Sequence, residues 1–173
     1  MDVSEAIKGR RSIRRFKSDP VDEKDLERIL DAARWAPSAG NMQPLELVVI
    51  KDPEIKKRLT DASRGQTFIG EAPVVIVVCA DVMRTSHRYG KRGSDLYVIQ
   101  DTAAAAQNIH LTAYSLGYAT CWVGAFDDEA VAKVIGASKE VRPLAIIPVG
   151  KPAEEAEPAE RRSLEDIVHY DGL

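Results

Sequence analysis

The sequence predicts an α+β fold: a central mixed sheet with helices on both faces. Three observations predict it. After two opening helices, apolar strand-like runs alternate with helical patterns along the chain. The run "APVVIVVCA" at 72–80 is apolar from end to end, as a buried strand is. A long helical pattern over 94–117 carries an apolar face that needs a sheet or a partner to cover it.

Each element has its local reason. Residues 2–8 form a short helix stopped by Gly9, and the basic stretch "GRRSIRRF" at 9–16 then leads to Pro20. Asp22 caps a helix running to about Ala36, with Leu26, Ile29, Leu30 and Ala33 on one face, and Pro37 ends it. "PSAGNMQP" at 37–44 has loop composition, and "LELVVI" at 45–50 reads as a strand. Asp52-Pro53 opens another helix, since proline suits the first helical position. A strand follows at 74–79, then a polar, basic loop over 81–93.

Ser94 or Asp95 caps the long helix, which ends at Gly117 and would run roughly 36 Å. "TAAAA" at 102–106 lets another backbone come close to it. "ATCWVG" at 119–124 and "PLAIIPVG" at 143–150 are strands, separated by a helix that Asp127 or Asp128 caps and Gly136 closes. "KPAEEAEPAERR" at 151–162 is an extended arm by composition, followed by a short helix over 163–169.

Composition narrows the function classes. The 173 residues make one domain, spanning 1–173, and are enough to bury a core. A net charge of −3 argues against a general nucleic-acid binder. Two cysteines, Cys79 and Cys121, in apolar surroundings read as reduced thiols of a cytoplasmic protein. The first 16 residues carry charge throughout and resemble no leader, and the 72–80 run is too short to span a bilayer. His87, His110 and His169 lack ligand-like spacing, so no metal site is expected; His110 reads as a packed helix histidine. "GQTFIGE" at 65–71 has P-loop spacing, but Glu71 stands where lysine is required.

Three stretches carry candidate chemistry. In an extended "GRRSIRRF", Arg10, Ser12 and Arg14 point one way and Arg11, Ile13 and Arg15 the other. Two guanidinium groups with a hydroxyl between them can grip a phosphate monoester. The alternative is a solvated basic face balanced by Asp19, Asp22 and Glu23. In the 37–44 loop, the amides of Asn41 and Gln43 can read a ligand edge that alternates acceptors and donors; ordinary turn chemistry explains the same residues. In "GYATCWVGAF" at 117–126, a strand ending at Gly124 can present bare backbone N–H groups to a flat ligand, or can simply be a core strand with a tight end. Cys121 lies in this stretch, and with nothing nearby to lower its pKa it reads as a buried inert thiol.

Taken together, "RRSIRRF", "APSAGNMQP", "AAQNIHLTAYSLGYATCWVG" and "RRSLEDIVHY" occur in an order that resembles the nitroreductase family of FMN-dependent enzymes, in a compact form. The resemblance implies a mainly antiparallel sheet, an obligate homodimer with FMN at the subunit interface, and a C-terminal arm at 151–173 exchanged onto the partner. It implies that Arg10 and Ser12 hold the FMN phosphate, joined by Arg162 of the closing motif, for which role Arg161 competes, with Arg14 nearer the pyrimidine edge. Arg11 belongs to the same cofactor-binding cluster, although alternation turns it, with Arg15, toward structural ion pairs. Pro37, Ser38, Asn41 and Gln43 would meet the flavin from the other subunit, and a backbone N–H of Val123 or Gly124 would approach its N5. The activity implied is a ping-pong transfer of electrons from NADH or NADPH through FMN to a small acceptor such as a nitroaromatic or quinone, with no side chain acting as nucleophile. The alternatives are flavin fragmentation, reductive dehalogenation, or FMN binding without turnover. The basic 81–93 stretch either covers the substrate mouth and meets the nicotinamide cofactor's phosphates, or is a solvated loop.

Overall fold

A computed structural model describes residues 1–173. In chain order it contains α1 (Val3–Gly9), α2 (Glu23–Arg34), β1 (Leu45–Ile50), α3 (Pro53–Ala62), α4 (Phe68–Glu71), β2 (Val74–Asp81), α5 (Val82–Arg92), α6 (Val98–Ser115), β3 (Ala119–Thr120), α7 (Asp128–Ile135) and β4 (Val141–Gly150). The four strands form one antiparallel sheet in the order β1-β2-β4-β3. A single parallel bridge, Ser12 to Thr120, adds the basic segment at its edge.

Successive β2 residues feed two cores. Val74, Ile76 and Val78 pack with Ile147 and Val149 under α2 and α6, through Leu26, Ile29, Ala33, Ala106 and Ile109. Val75, Val77 and Cys79 pack with Ile146 against α3, α4 and α7, through Leu59, Ile69 and Val131. Helices therefore cover both faces, and a two-sided strand has no polar side to show. Ala105 and Ala106 are buried on α6, where their small side chains let α2 come close.

The predicted aspartate caps are in place. The Asp22 carboxylate accepts from the N–H groups of Lys24 and Asp25, Asp52 from those of Glu54 and Ile55, and Asp127 from that of Ala130.

Four expectations are corrected. The 81–93 stretch is a helix, not a loop: Asp81 caps it through the Met83 and Arg84 N–H groups, and buried Thr85 ties it down. It runs through a π-helical turn, Gly93–Tyr97, directly into α6, so Ser94 and Asp95 cap nothing and α6 is shorter than expected. The 119–124 strand is regular only at Ala119–Thr120 and resumes as one bridge between Val123 and Ile146. Residues 163–169 form turns without a helix, since Ile167 and Val168 bond back only to Leu164 and no further ladder follows. No helix is long and apolar enough to cross a membrane.

Candidate functional site

Arg10 is the residue at which α1 unwinds; its φ and ψ of −57° and 134° turn the chain into extended backbone. Extended geometry then holds to Lys17, because both flanks bind it. The Ile13 N–H donates to the Thr120 carbonyl at 3.0 Å on the β3 side. On the other side the Lys17 N–H donates to the Lys151 carbonyl and the Ala153 N–H to the Arg15 carbonyl, each at 2.9 Å. Glu154 completes the clamp, accepting from the N–H groups of Arg14 and Arg15 at 2.7 and 3.1 Å.

The alternation read from the sequence is realised in space. Burial raises the pKa of the Cys121 thiol, and the members of one alternation face, Arg14, Ser12 and Arg10, oppose the rise. Arg11 lies on the other side, where with Ile13, Tyr114 and Tyr118 it lines a separate cavity of about 410 Å³. Its guanidinium donates to the Lys8 and Arg10 carbonyls at 2.6 and 2.9 Å. The structural ion pairs expected of Arg11 and Arg15 are absent; none of the five ion pairs involves them, and Glu154 accepts from the backbone N–H groups of Arg14 and Arg15 instead. Arg10 and Arg14 are likewise without a carboxylate partner, which rules out the balanced basic face with Asp19, Asp22 and Glu23. Arg14 instead rests over the Phe68 ring, 5.9 Å from its centroid.

Behind this edge lies His110 of α6. Its Nδ1 is 2.6 Å from the Thr120 hydroxyl, and its ring stacks on Trp122 with centroids 5.8 Å apart and planes inclined by 22°. The Nε2 atom is buried without a partner. Burial, and then the charge of Arg10, push its pKa down to about 4, so the ring is neutral near pH 7. Thr120 thus binds Ile13 by its carbonyl and His110 by its hydroxyl. Beyond Trp122, the Val123 N–H is bonded to the Ile146 carbonyl at 2.9 Å, while the Gly124 N–H has no partner in the chain. Of the two N–H groups expected to face a ligand, that of Val123 is therefore paired and that of Gly124 is free.

The 37–44 loop forms a second group. Gly40, Asn41 and Gln43 all adopt positive φ, at 54°, 57° and 51°. The Ser38 hydroxyl accepts from the Gln43 N–H at 3.0 Å, and Asp101 of α6 accepts from the Ala39 N–H at 3.0 Å. The Asn41 side-chain amide is exposed and makes no hydrogen bond within the chain, although turn chemistry would have used it. Pro37, Ser38 and Gln43 line a cavity of about 250 Å³ with Arg84 and Asp101. No hydrogen bond joins this loop to the Arg10–Arg14 edge. Arg162 and Arg161 lie on the exposed arm, donating only to nearby carbonyls, those of Asp166 and of Ala159 and Glu160.

Sequence reasoning passed over Thr120 and Asp101. Asp101 did carry a signal, as the sole acid between Asp95 and Asp127.

An α/β/α sandwich with a cationic edge beside a strand end and a positive-φ loop under its central helix defines a class of ligand-binding α+β domain, and comparison with known proteins sharpens it. The nitroreductase family model matches residues 7–68 and 63–151. A Thermus thermophilus protein named NADH dehydrogenase is 34% identical over 195 aligned positions, covering 97% of this chain and 95% of that one. Bacillus subtilis FMN reductase [NAD(P)H] is 28% identical, with 98% and 74% covered. The crystal structure of nitroreductase A from Vibrio parahaemolyticus superposes with a TM-score of 0.91 at 26% identity, covering 100% of this chain and 77% of that one. The chain belongs to the nitroreductase family.

Proposed function

We propose that Arg10, Ser12 and Arg14 hold the phosphate and polar edge of FMN in one protomer, and that Pro37, Ser38, Asn41 and Gln43 of a second copy close the site from above. The chain is an FMN-dependent NAD(P)H oxidoreductase of the nitroreductase family. The observation that carries the residue assignment is the cationic edge itself: two guanidinium groups and a hydroxyl on one face, with no carboxylate to neutralise them. An uncompensated pair of this kind fits a doubly charged phosphate monoester. The unpartnered Gly124 N–H and the bare Asn41 amide supply the neutral donors and acceptor that a flavin edge requires.

FMN, when bound, supplies the redox chemistry, accepting electrons from a nicotinamide donor and passing them to a small oxidised acceptor. The chain's own residues do the rest. Arg10 and Ser12 fix the phosphate end. Arg14 places a positive charge where negative charge grows on reduction. Gly124 offers its N–H without a side chain to stand in the way; an added Cβ would meet only the Trp122 indole, at 3.5 Å. The Cys121 thiol stays protonated, since burial dominates its pKa, and takes no part. Arg162, on the arm, reaches the phosphate only when the arm folds onto the partner. Arg11 supports α1 and does not touch the cofactor. The acceptor is a nitroaromatic, quinone or similar small molecule that occupies the donor's place in turn.

The test is the visible spectrum of purified protein after addition of FMN, followed without oxygen as NADH or NADPH is added. Bound flavin that bleaches and recovers with a quinone is the expected result; protein that takes up no FMN overturns the reading. Arg10→Ala removes one charge-assisted grip and should weaken FMN binding about 10- to 100-fold in a fluorescence titration. An unchanged titration removes Arg10 from the site.

A further inference from the structure

Away from the Arg10–Arg14 edge, the densest positive charge lies on α5. Residues 82–93 contain Arg84, Arg88, Lys91 and Arg92 and no acid, in a chain whose net charge is −3. Two of these cations are occupied: Lys91 lies 3.9 Å from Asp95, and Arg92 covers the Tyr97 ring and donates to its hydroxyl at 3.0 Å. Arg84 and Arg88 have no carboxylate partner, and Arg88 rests over the Tyr89 ring, 5.3 Å from its centroid, with its N–H groups directed to no acceptor. They stand one helical turn apart, so their side chains share a face.

That face lies against the 37–44 loop. The Arg84 Nε donates to the Met42 carbonyl at 3.1 Å. A terminal nitrogen of Arg88 and the hydroxyl of Tyr89 stand 3.0 and 2.3 Å from where a Cβ on Gly40 would be. Arg84 also lines the cavity shared by Pro37, Ser38 and Gln43. The nearby carboxylates pair with neither arginine, although Oδ2 of Asp101 is buried without a partner on the same cavity wall. Asp81 caps α5 through backbone N–H groups, Asp101 holds the Ala39 N–H, and Glu46, on the cavity wall, pairs with neither arginine. The terminal nitrogens of Arg84 and every N–H of Arg88 are left without a hydrogen bond, and two like charges at this spacing repel until an anion separates them.

We infer that Arg84 and Arg88 form a subsite for a terminal phosphate monoester on the second substrate, the 2′-phosphate of NADPH, and that the chain takes NADPH in preference to NADH. The inference rests on the reading that the 37–44 loop borders the flavin. Both donors carry a pyrophosphate, with one charge on each phosphorus. The 2′-phosphate alone is a dianion, and a dianion matches two guanidinium forks.

The subsite is tested without turnover. The oxidised, FMN-loaded protein is titrated calorimetrically with NADP⁺ and with NAD⁺, which differ only in the 2′-phosphate. NADP⁺ should bind at least about tenfold tighter. In Arg88→Gln, and further in Arg84→Gln/Arg88→Gln, that advantage should fall to about twofold or less, and the NADPH-to-NADH ratio of kcat/KM should fall with it. Lys57→Gln on α3 removes the same charge at a distance and should leave the advantage intact. Equal binding of the two nucleotides by the unaltered chain overturns the inference. So does an advantage that survives the double substitution, or one that Lys57→Gln erodes as much. If the advantage holds and depends on the two arginines while neither donor bleaches the flavin, the subsite stands and the reductase reading falls.

Discussion

His110 shows how much one side chain can tie together. It is buried on α6, bonded to Thr120 and stacked on Trp122, and Thr120 in turn holds the segment that carries Ser12. A neutral imidazole suits this position, because a charged one would sit desolvated beside Arg10. The folded-state pKa of about 4 lies below the unfolded value of 6.5. Between these values the unfolded chain binds a proton that the folded chain refuses, so stability falls as pH drops from about 6.5 toward 4. Urea denaturation at pH 7 and pH 4.5 should show the wild type losing about 2 kcal/mol more than His110→Gln. A loss of the same size in both would mean that His110 does not titrate in this window. The sequence places this histidine correctly on an apolar helix face. It does not show Thr120, which lies on another element and meets His110 only after the chain turns at Gly117. The Arg10–Ser12–Arg14 face was legible because period-2 alternation needs only an extended backbone. Which N–H is free at 123–124 was not, because that depends on pairing with Ile146 in β4.

At the scale of elements, the caps were legible and α5 was not. Asp22, Asp52 and Asp127 act within their own turns, so local sequence suffices. The 81–93 stretch is polar and holds two glycines, which reads locally as a loop. Long-range packing overrides that reading. Thr85 is fully buried, Gly93 sits so close to the Thr85 carbonyl that a Cβ would come within 2.7 Å of it, and Tyr89 packs on Gly40. Gly40 is where α5 and the 37–44 loop meet, and its φ of +54° adds a second reason for glycine. Gly40→Ala should therefore lower stability by about 1–2 kcal/mol, from the left-handed backbone and from displacement of Tyr89. In a Tyr89→Phe background, which removes the hydroxyl nearest the new methyl, chemical denaturation should show part of that loss recovered. An equal loss in both backgrounds would assign the whole effect to backbone strain and leave α5 uncoupled from the loop.

For the whole molecule, the arm is the part that one copy of the chain does not explain. Lys151, Ala153 and Glu154 are fastened to the basic segment, and beyond them the chain leaves the domain. Leu164 is 73% exposed, Ile167 50%, Val168 41% and Tyr170 88%, too much apolar surface on one short segment to be at rest in water. Each such side chain, once buried, contributes about 1.5–3 kcal/mol, so covering the group with a second copy is a substantial driving force for a dimer. The same step would bring Arg162 to an Arg10–Ser12 edge that it does not reach within its own chain. Composition revealed the arm, but its destination involves a surface outside the single chain. Truncation after Ala156 leaves every strand and helix in place, so its unfolding should remain cooperative. By sedimentation, however, it should be monomeric at concentrations where the full chain is dimeric, and its FMN affinity should drop. Full-length Arg162→Ala should lose FMN affinity while remaining a dimer. A truncated chain that still sediments as a dimer and titrates FMN like the full chain would show that the arm neither joins the subunits nor reaches the phosphate, and the site would have to be complete without it.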